Sequence, residues 1–412
     1  MKKLSVIDLF AGCGGLSLGL EQAGFESVYV NEINKDAMES YLVNRSSNPY
    51  LRERFNSNDI NQITSIKYIN QLKKDFNSTY NLDVESGDLT LLVGGPPCQG
   101  YSGIGHRRSY DVDKNKIPSN YLYKDMKYVI NKLNPKIFLF ENVKGLLSSR
   151  WQSNGEKGEI WDDVRRTFES IKNYNVSWSL LKSKDYGVPQ NRPRIFLVGI
   201  RDDIAFNTNI SNIADGLLPK PTGNTPDPVD VISDLIDPNY KTTLETITYP
   251  KEARSEFQKL MRSKGRKKLK KGDELTEQKY SNHSDKIIAK FNYMIKNNGE
   301  IHPRYKTKKF AQRLIPKRWG DEGPSITTTS LPDDYIHYYQ PRSLTVRECA
   351  RFQMFPDWYK FYGKRTTGGS KRAGNPRKDN FERELPKYTQ IGNAVPVGLA
   401  KHIGKHFIKL SK

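Results

Sequence analysis

Cysteine and histidine are scarce, at 3 and 6 in 412 residues. Three cysteines scattered along such a chain cannot form the disulfide framework of a small secreted domain. Their positions also lack metal-ligand spacing, so no metal is expected. Long apolar runs are missing too. None approaches the roughly 20 residues that a membrane-spanning helix needs, so no membrane partner is expected. Met1-Lys2-Lys3 leads into a strand-like run without the apolar core of a secretory signal. Acid is in short supply: 46 Asp and Glu face 67 Lys and Arg, a net charge of +21. That excess points to a polyanionic partner without identifying it. What is present excludes a disordered chain, because 17 Phe, 23 Tyr and 5 Trp suffice to nucleate a core. A length of 412 residues suggests one large domain and a smaller one.

The first half alternates two patterns. Leu4–Phe10 is a short apolar run, and Leu16, Leu20 and Ala23 follow at helical spacing. Val28–Val30, Leu89–Val93, Ile137–Phe140 and Ile195–Ile200 read as further strands, and Tyr123–Leu133 as a helix. This is the rhythm of an open α/β sheet with helices on both faces. The rhythm stops after about Asp203, which puts a domain boundary near 205. Periodic apolar character returns at Ile391–His406. Between them, Arg262–Lys271 holds seven basic residues in ten and no acid, and a second basic stretch runs from Lys364 to Lys378.

Three segments carry chemistry. Asp8–Gly15 follows a strand and opens a helix, with Gly12, Gly14 and Gly15 permitting a tight turn and close backbone approach. A bare glycine turn fits either a structural turn or a nucleoside-containing cofactor. Glu32, ending the second strand, can accept hydrogen bonds from ribose hydroxyls, and Asp59 from an adenine amino group. The second segment, Gly94–Ser102, places Cys98 beyond a strand, in a loop of Pro and Gly where simple core packing is unfavourable. A thiolate there is a soft nucleophile. Cys13 and Cys349 are expected to be packing residues. The third comprises Glu141, which ends an apolar strand, and Arg192 and Arg194, which share a face of an extended segment and can point into one cleft.

Six strings then occur in order: DLFAGCGGLSLGLEQAGF at 8–25, GGPPCQGYS at 94–102, ENVKG at 141–145, QNRPRIFLVG at 190–199, RSLTVRECARFQMFP at 342–356 and QIGNAVPVGLA at 390–400. With them the chain resembles the DNA cytosine-5 methyltransferases, in the compact form found in bacterial restriction–modification systems. The resemblance implies a Rossmann-like mixed α/β sheet that binds S-adenosylmethionine, with a second, smaller DNA-recognition domain. It divides the chain into a catalytic domain at 1–205, a target-recognition domain with hinge at 206–385, and a terminal segment at 386–412 that completes the first. It implies Cys98 as nucleophile toward cytosine carbon 6, with Glu141, Arg192 and Arg194 around the base. Phe10, Gly12, Gly14, Gly15, Leu16, Glu32, Ile33, Asp59, Pro97 and Asn393 would surround the cofactor. Double-stranded DNA would meet Gln99, Ser102, Arg107, Arg108, Gln190, Lys267, Lys268, Arg313, Lys317 and Thr328. The target base would be flipped out of the duplex, since its carbon 6 face is covered by stacking. A monomer in the bacterial cytoplasm is expected, with a cognate restriction endonuclease as system partner that it need not touch.

Rival activities are weaker. An amino-methyltransferase would show Asp/Asn-Pro-Pro-Tyr/Phe where this chain has Pro-Pro-Cys. A tRNA cytosine-5 methyltransferase of the same fold typically has a short recognition region, whereas this one is long and basic. Candidate base readers lie in Arg304–Tyr305, Arg313, Lys317–Trp319 and Ser325–Ser330. Arg347 and Glu348 could orient that region by internal ion pairing.

Overall fold

The computed structural model describes residues 4–97, 115, 117–207, 216–306, 312–327, 331–368, 371 and 384–410. Its seven main strands are β1 (Leu4–Leu9), β2 (Phe25–Asn31), β3 (Asn56–Ser57), β4 (Leu91–Gly94), β5 (Ile137–Val143), β6 (Tyr174–Lys182) and β7 (Pro193–Arg201). They form one sheet in the order β3-β2-β1-β4-β5-β7-β6. Neighbouring strands from β3 to β5 pair in parallel. β7 runs antiparallel to both β5 and β6.

Both faces of the sheet are covered, which is why its central strands read as continuous apolar runs rather than alternating ones. Successive side chains still go to opposite faces. Ile7, Leu92, Phe138, Phe140 and Leu197 join one core with Met126, Ile130, Val164 and Phe168 from the helices Leu122–Leu133 and Glu159–Glu169. Val6, Leu91, Val93, Leu139 and Val198 face the other way, against Leu399, Ile403 and Phe407 of the terminal helix Val397–Leu410. That helix crosses the helix Gly15–Ala23 at unusually close range. A Cβ on Gly19 would sit 2.4 Å from the Val397 carbonyl oxygen, and one on Gly404 2.8 Å from Ala23 Cβ. The last apolar stretch of the sequence is two helices, Lys387–Asn393 and Val397–Leu410, interrupted at Ala394–Pro396.

Beyond 216 the chain is mostly irregular, with short helices such as Pro228–Ile232 and Glu256–Met261, a longer one at Asp285–Lys296, and two-residue strand pairs. Its packing centres on the helix Val346–Phe352, whose Thr345 and Glu348 form a reciprocal N-terminal cap. Glu348 accepts from both Arg342 Nη atoms, at 2.8 and 2.6 Å. Arg351 bridges Asp234 and Asp357, and Arg262 also reaches Asp234 at 2.6 Å. Of the two residues expected to orient the region by internal ion pairing, Glu348 does so and Arg347 acts through backbone carbonyls instead. Glu348 pairs with Arg342, while Arg347 donates to the Pro356 and Tyr359 carbonyls.

Candidate active site

The antiparallel β7 decides the geometry of the site. In register, Leu9 lies opposite Gly94, Gly94 opposite Phe140, and Val143 opposite Arg194. The carboxyl ends of β1, β4 and β5 and the amino end of β7 thus share one edge. The strand order also reverses between β1 and β4, where open α/β sheets form their ligand crevice. The glycine turn, the Pro96–Pro97 turn, Glu141 and the two arginines all emerge at that edge.

The glycine turn is held from behind. Gly14 N donates to Ala11 O at 3.0 Å, and Gly14 adopts φ +84. A Cβ on Gly14 would meet Tyr41 at 2.7 Å and Arg45 at 2.9 Å. Arg45 is fully paired behind the turn, to Glu21 at 2.6 Å and to Gly14 O at 3.4 Å, and Tyr359 donates to Cys13 O at 2.5 Å. Asp8 accepts from Ser17 there, and burial pushes its carboxyl up to about 7. The Cys13 and Cys349 thiols are buried, and burial pushes Cys13 up to about 12; neither is a nucleophile.

The front of the turn is different. Gly12 has φ +56, and a Cβ there would meet nothing within 4 Å. Glu32 bridges this turn and the end of β2, accepting from Gly12 N and Asn34 N, each at 2.8 Å. Burial raises its carboxyl above the usual range against the pull of those two N–H groups. Each oxygen keeps lone-pair capacity for a further donor. Beside it Ile33 is an apolar side chain 80% exposed among the described residues. Phe10, half-buried, adopts φ 58, a rare conformation for an aromatic residue. Asp59 is exposed and caps the helix Ile60–Thr64 through Asn61 N at 2.9 Å. Asn393 and Pro97 are exposed. Leu16 differs from the expectation: its side chain is spent in the core with Val395 and Leu399, so only its backbone can border the turn.

Next along the edge, Glu141 is buried and its Oε1 lies 2.9 Å from Arg194 Nε. The N–H does not point along that line, so among the described residues Oε1 accepts no aligned hydrogen bond. Burial raises the Glu141 carboxyl above its ordinary range, outweighing the attraction of Arg194 and Arg192. Arg192 is buried and donates to Gly392 O, and its backbone N–H donates to Ser183 Oγ at 2.9 Å. Burial and the Arg194 charge both disfavour its ionised form. A guanidinium stays charged at any accessible pH, so the site holds a cation poised for an anionic or strongly polar guest. Asn142, not singled out from the sequence although it adjoins Glu141, donates from Nδ2 to Pro96 O at 3.2 Å and fixes the turn that leads into residue 98.

Not every expected residue reaches the site. Cys98, Gln99, Ser102, Arg107, Arg108 and Thr328 lie outside the described residues. Gln190 has no exposed surface, and its amide donates to Phe352 O and Gln353 Oε1, so it ties the arginine segment to the Val346–Phe352 helix rather than facing DNA. Arg262, first of the basic run, is buried on Tyr249 with Asp234, whereas Lys267 and Lys268 are exposed on a two-residue strand. Arg313 and Lys317 are exposed.

The model of the family "C-5 cytosine-specific DNA methylase" matches residues 4–409. The chain belongs to this family. As a C-5 cytosine-specific DNA methylase it is similar to the Type II methyltransferase M.DdeI of Desulfomicrobium norvegicum, 29% identical over 416 residues, covering 98% of this chain and 88% of the relative. The Type II methyltransferase M.Sau96I of Staphylococcus aureus is 30% identical over 414 residues, covering 99% and 76%. Two solved structures share the methylase's fold. One is an Escherichia coli prophage-encoded protein described as a DNA modification methyltransferase, with a TM-score of 0.66, 23% identity and 99% of both chains covered. The other is the Entamoeba histolytica methyltransferase EhMeth, with a TM-score of 0.54, 16% identity and coverage of 99% and 98%. The Rossmann-like mixed sheet expected of the methylase is therefore its fold. Sequence reasoning missed Arg45 and Tyr359, which hold the glycine turn of the methylase. Tyr359 lies 346 residues from the carbonyl it binds, and no local pattern marks such a pair.

Proposed function

We propose that the enzyme methylates carbon 5 of a cytosine flipped out of duplex DNA at one defined sequence, with Cys98 as the covalent nucleophile. The observation that carries this reading is the convergence at one sheet edge of a buried Glu141, the Arg194 guanidinium at 2.9 Å and the Pro96 carbonyl held by Asn142. Carbon 5 of cytosine is a poor nucleophile within its ring. Addition of the Cys98 thiolate to carbon 6 breaks the conjugation and places electron density on carbon 5. A protonated Glu141, favoured by its burial, can donate to ring nitrogen 3 as negative charge develops. Arg192 and Arg194 offer donors to the base carbonyl and a neighbouring phosphate. Once carbon 5 has taken the methyl group that S-adenosylmethionine would supply, with S-adenosylhomocysteine leaving, loss of the carbon 5 proton and expulsion of Cys98 restore the ring.

S-adenosylmethionine, when bound, supplies the activated methyl group. The residues present fit it: the open space before Gly12 accommodates a ligand, Glu32 retains acceptor capacity, and Ile33 offers an unoccupied apolar face. Residues 206–385 serve target recognition and 386–412 complete the catalytic domain. Both relatives named above are Type II methyltransferases, which supports a place beside a cognate restriction endonuclease; a monomer in the bacterial cytoplasm is part of the same proposal. No helix among the described residues is long and apolar enough to cross a membrane.

Cys98→Ser should abolish methyl transfer while retaining DNA and cofactor binding, with the wild-type product carrying its methyl group on carbon 5. Nucleoside mass spectrometry against positional standards reads both. Normal turnover by the variant, or methyl on an exocyclic amine, would overturn the reading.

A further inference from the structure

We propose that Arg313 reads a guanine edge in the DNA target and that Tyr335 locks this reader in register with the catalytic arginines. The inference rests on the DNA-methylating function proposed above and adds to it a chemical preference in the target sequence.

Arg313–Leu314 and Tyr335–Ile336 form a two-residue parallel pair, with Arg313 opposite Tyr335. Alternation sends Leu314 toward the small core of Phe291, Met294 and Ile336, and leaves Arg313 exposed on the other face. The Arg313 guanidinium lies 5.0 Å from the centroid of the Tyr335 ring. Among the described residues it forms no ion pair; its neighbour Asp334 meets it through a backbone carbonyl, which accepts from Arg313 N at 3.0 Å. A guanidinium set against a ring loses less freedom on binding, while its fork of N–H donors stays open. That fork matches N7 and O6 of guanine, the commonest specific arginine contact in the major groove.

Tyr335 is more than a platform. Its hydroxyl accepts from Thr327 N at 3.2 Å. Thr327 Oγ1 donates to Asn191 O, and Asn191 N donates to Ile326 O at 2.7 Å. Asn191 immediately precedes Arg192, whose guanidinium belongs to the base site. A continuous series of contacts thus joins Arg313, Tyr335, Thr327 and Asn191 to the edge of the catalytic sheet. A reader held this way sits at a fixed offset from the target cytosine. Arg304, another exposed arginine set against a ring, lies 4.5 Å from Tyr305, its own chain neighbour, and so lacks that reference. Lys317 is an exposed ammonium suited to phosphate rather than to base discrimination.

The test is a DNA library randomised around a cytosine, treated with wild type, Arg313→Ala, Arg313→Lys and Tyr335→Phe, and read by methylcytosine sequencing. Wild type should require a G·C pair at one fixed offset, with about tenfold or greater loss when it is replaced. Arg313→Ala and Arg313→Lys should relax that position and spare the others. Tyr335→Phe keeps the ring but loses the hydroxyl, so it should retain the guanine preference and lower kcat several-fold. A loss of rate shared equally by all sequences would make Arg313 a phosphate contact and overturn the proposal, as would an unchanged profile. Absence of any DNA methylation by wild type would instead overturn the function on which the proposal rests.

Discussion

Gly12 and Gly14 sit in one turn and are glycine for different reasons. Both adopt positive φ, at +56 and +84, where an added Cβ costs about 1 kcal/mol in backbone strain. At Gly14 the Cβ would also strike Tyr41 and Arg45, at 2.7 and 2.9 Å, inside a packed and hydrogen-bonded interior. At Gly12 it would enter open space, the space proposed for the cofactor. Gly14→Ala should therefore lower stability by about 1–3 kcal/mol more than Gly12→Ala does. Gly12→Ala should melt close to wild type yet bind S-adenosylmethionine at least tenfold more weakly. Thermal melts and titration calorimetry on both variants separate the two effects. Wild-type cofactor affinity in Gly12→Ala would remove the turn from the binding site.

Among the elements, the helix Val346–Phe352 shows how local spacing and distant partners divide the information. Its cap is local, Thr345 and Glu348 standing three apart before an apolar run, although the sequence reading did not single it out. Its distant partners were not legible, since Arg351 pairs with Asp234 across 117 residues and the Gln190 amide donates to Gln353 across 163. The same limit made Arg262 look like one more surface cation. β6 escaped notice because, as an edge strand, it is mostly half-buried and mixes Asn and Ser with its apolar residues. Its neighbour β7 was legible as an apolar run, but its reversed direction was not, and that reversal brings Arg192 and Arg194 to Glu141. The glycine turn, Pro96–Pro97 and Glu141 could be placed at one edge because each follows or ends its own strand in sequence.

The Glu348 pair gives this element a pH signature. Burial alone would raise the carboxyl, but Arg342, with two hydrogen bonds, and the Thr345 N–H outweigh it and hold Glu348 at about 2 against an ordinary 4.5. A depressed folded value means stability that is fully present above pH 4.5 and lost as pH falls from 4.5 toward 2, amounting to roughly 3 kcal/mol. Urea unfolding across that window should show this loss in wild type. It should be absent from a double variant, Arg342→Met with Glu348→Met, which removes both charges and strands neither. Equal acid sensitivity of the two proteins would show that the pair does not control this transition.

At the scale of the whole molecule, a net charge of +21 matters only through the cations that are free to meet phosphate. In the segment 262–271 the structure withdraws Arg262, which is buried on Asp234, and leaves Lys267 and Lys268 exposed on a short hairpin with Lys264. Lys264 lies 4.9 Å from the Trp358 ring, which fixes the base of that hairpin to the buried Val346–Tyr359 region. The hairpin is thus an anchored cationic projection. Replacing Lys267 and Lys268 with Ala should weaken binding to all duplexes alike. It should also reduce the slope of log affinity against log salt by about 1 for each phosphate contact removed, with stability and site preference unchanged. Arg262→Ala should instead destabilise the fold by about 2–3 kcal/mol, because it empties the place against Tyr249 and removes one of the two guanidiniums that hold the buried Asp234, leaving Arg351 alone. Fluorescence anisotropy across a salt series, paired with melting curves, distinguishes the two classes of arginine and lysine. An unchanged slope in the double lysine variant would mean that the hairpin lies off the DNA path, and that the molecule's excess charge meets phosphate elsewhere.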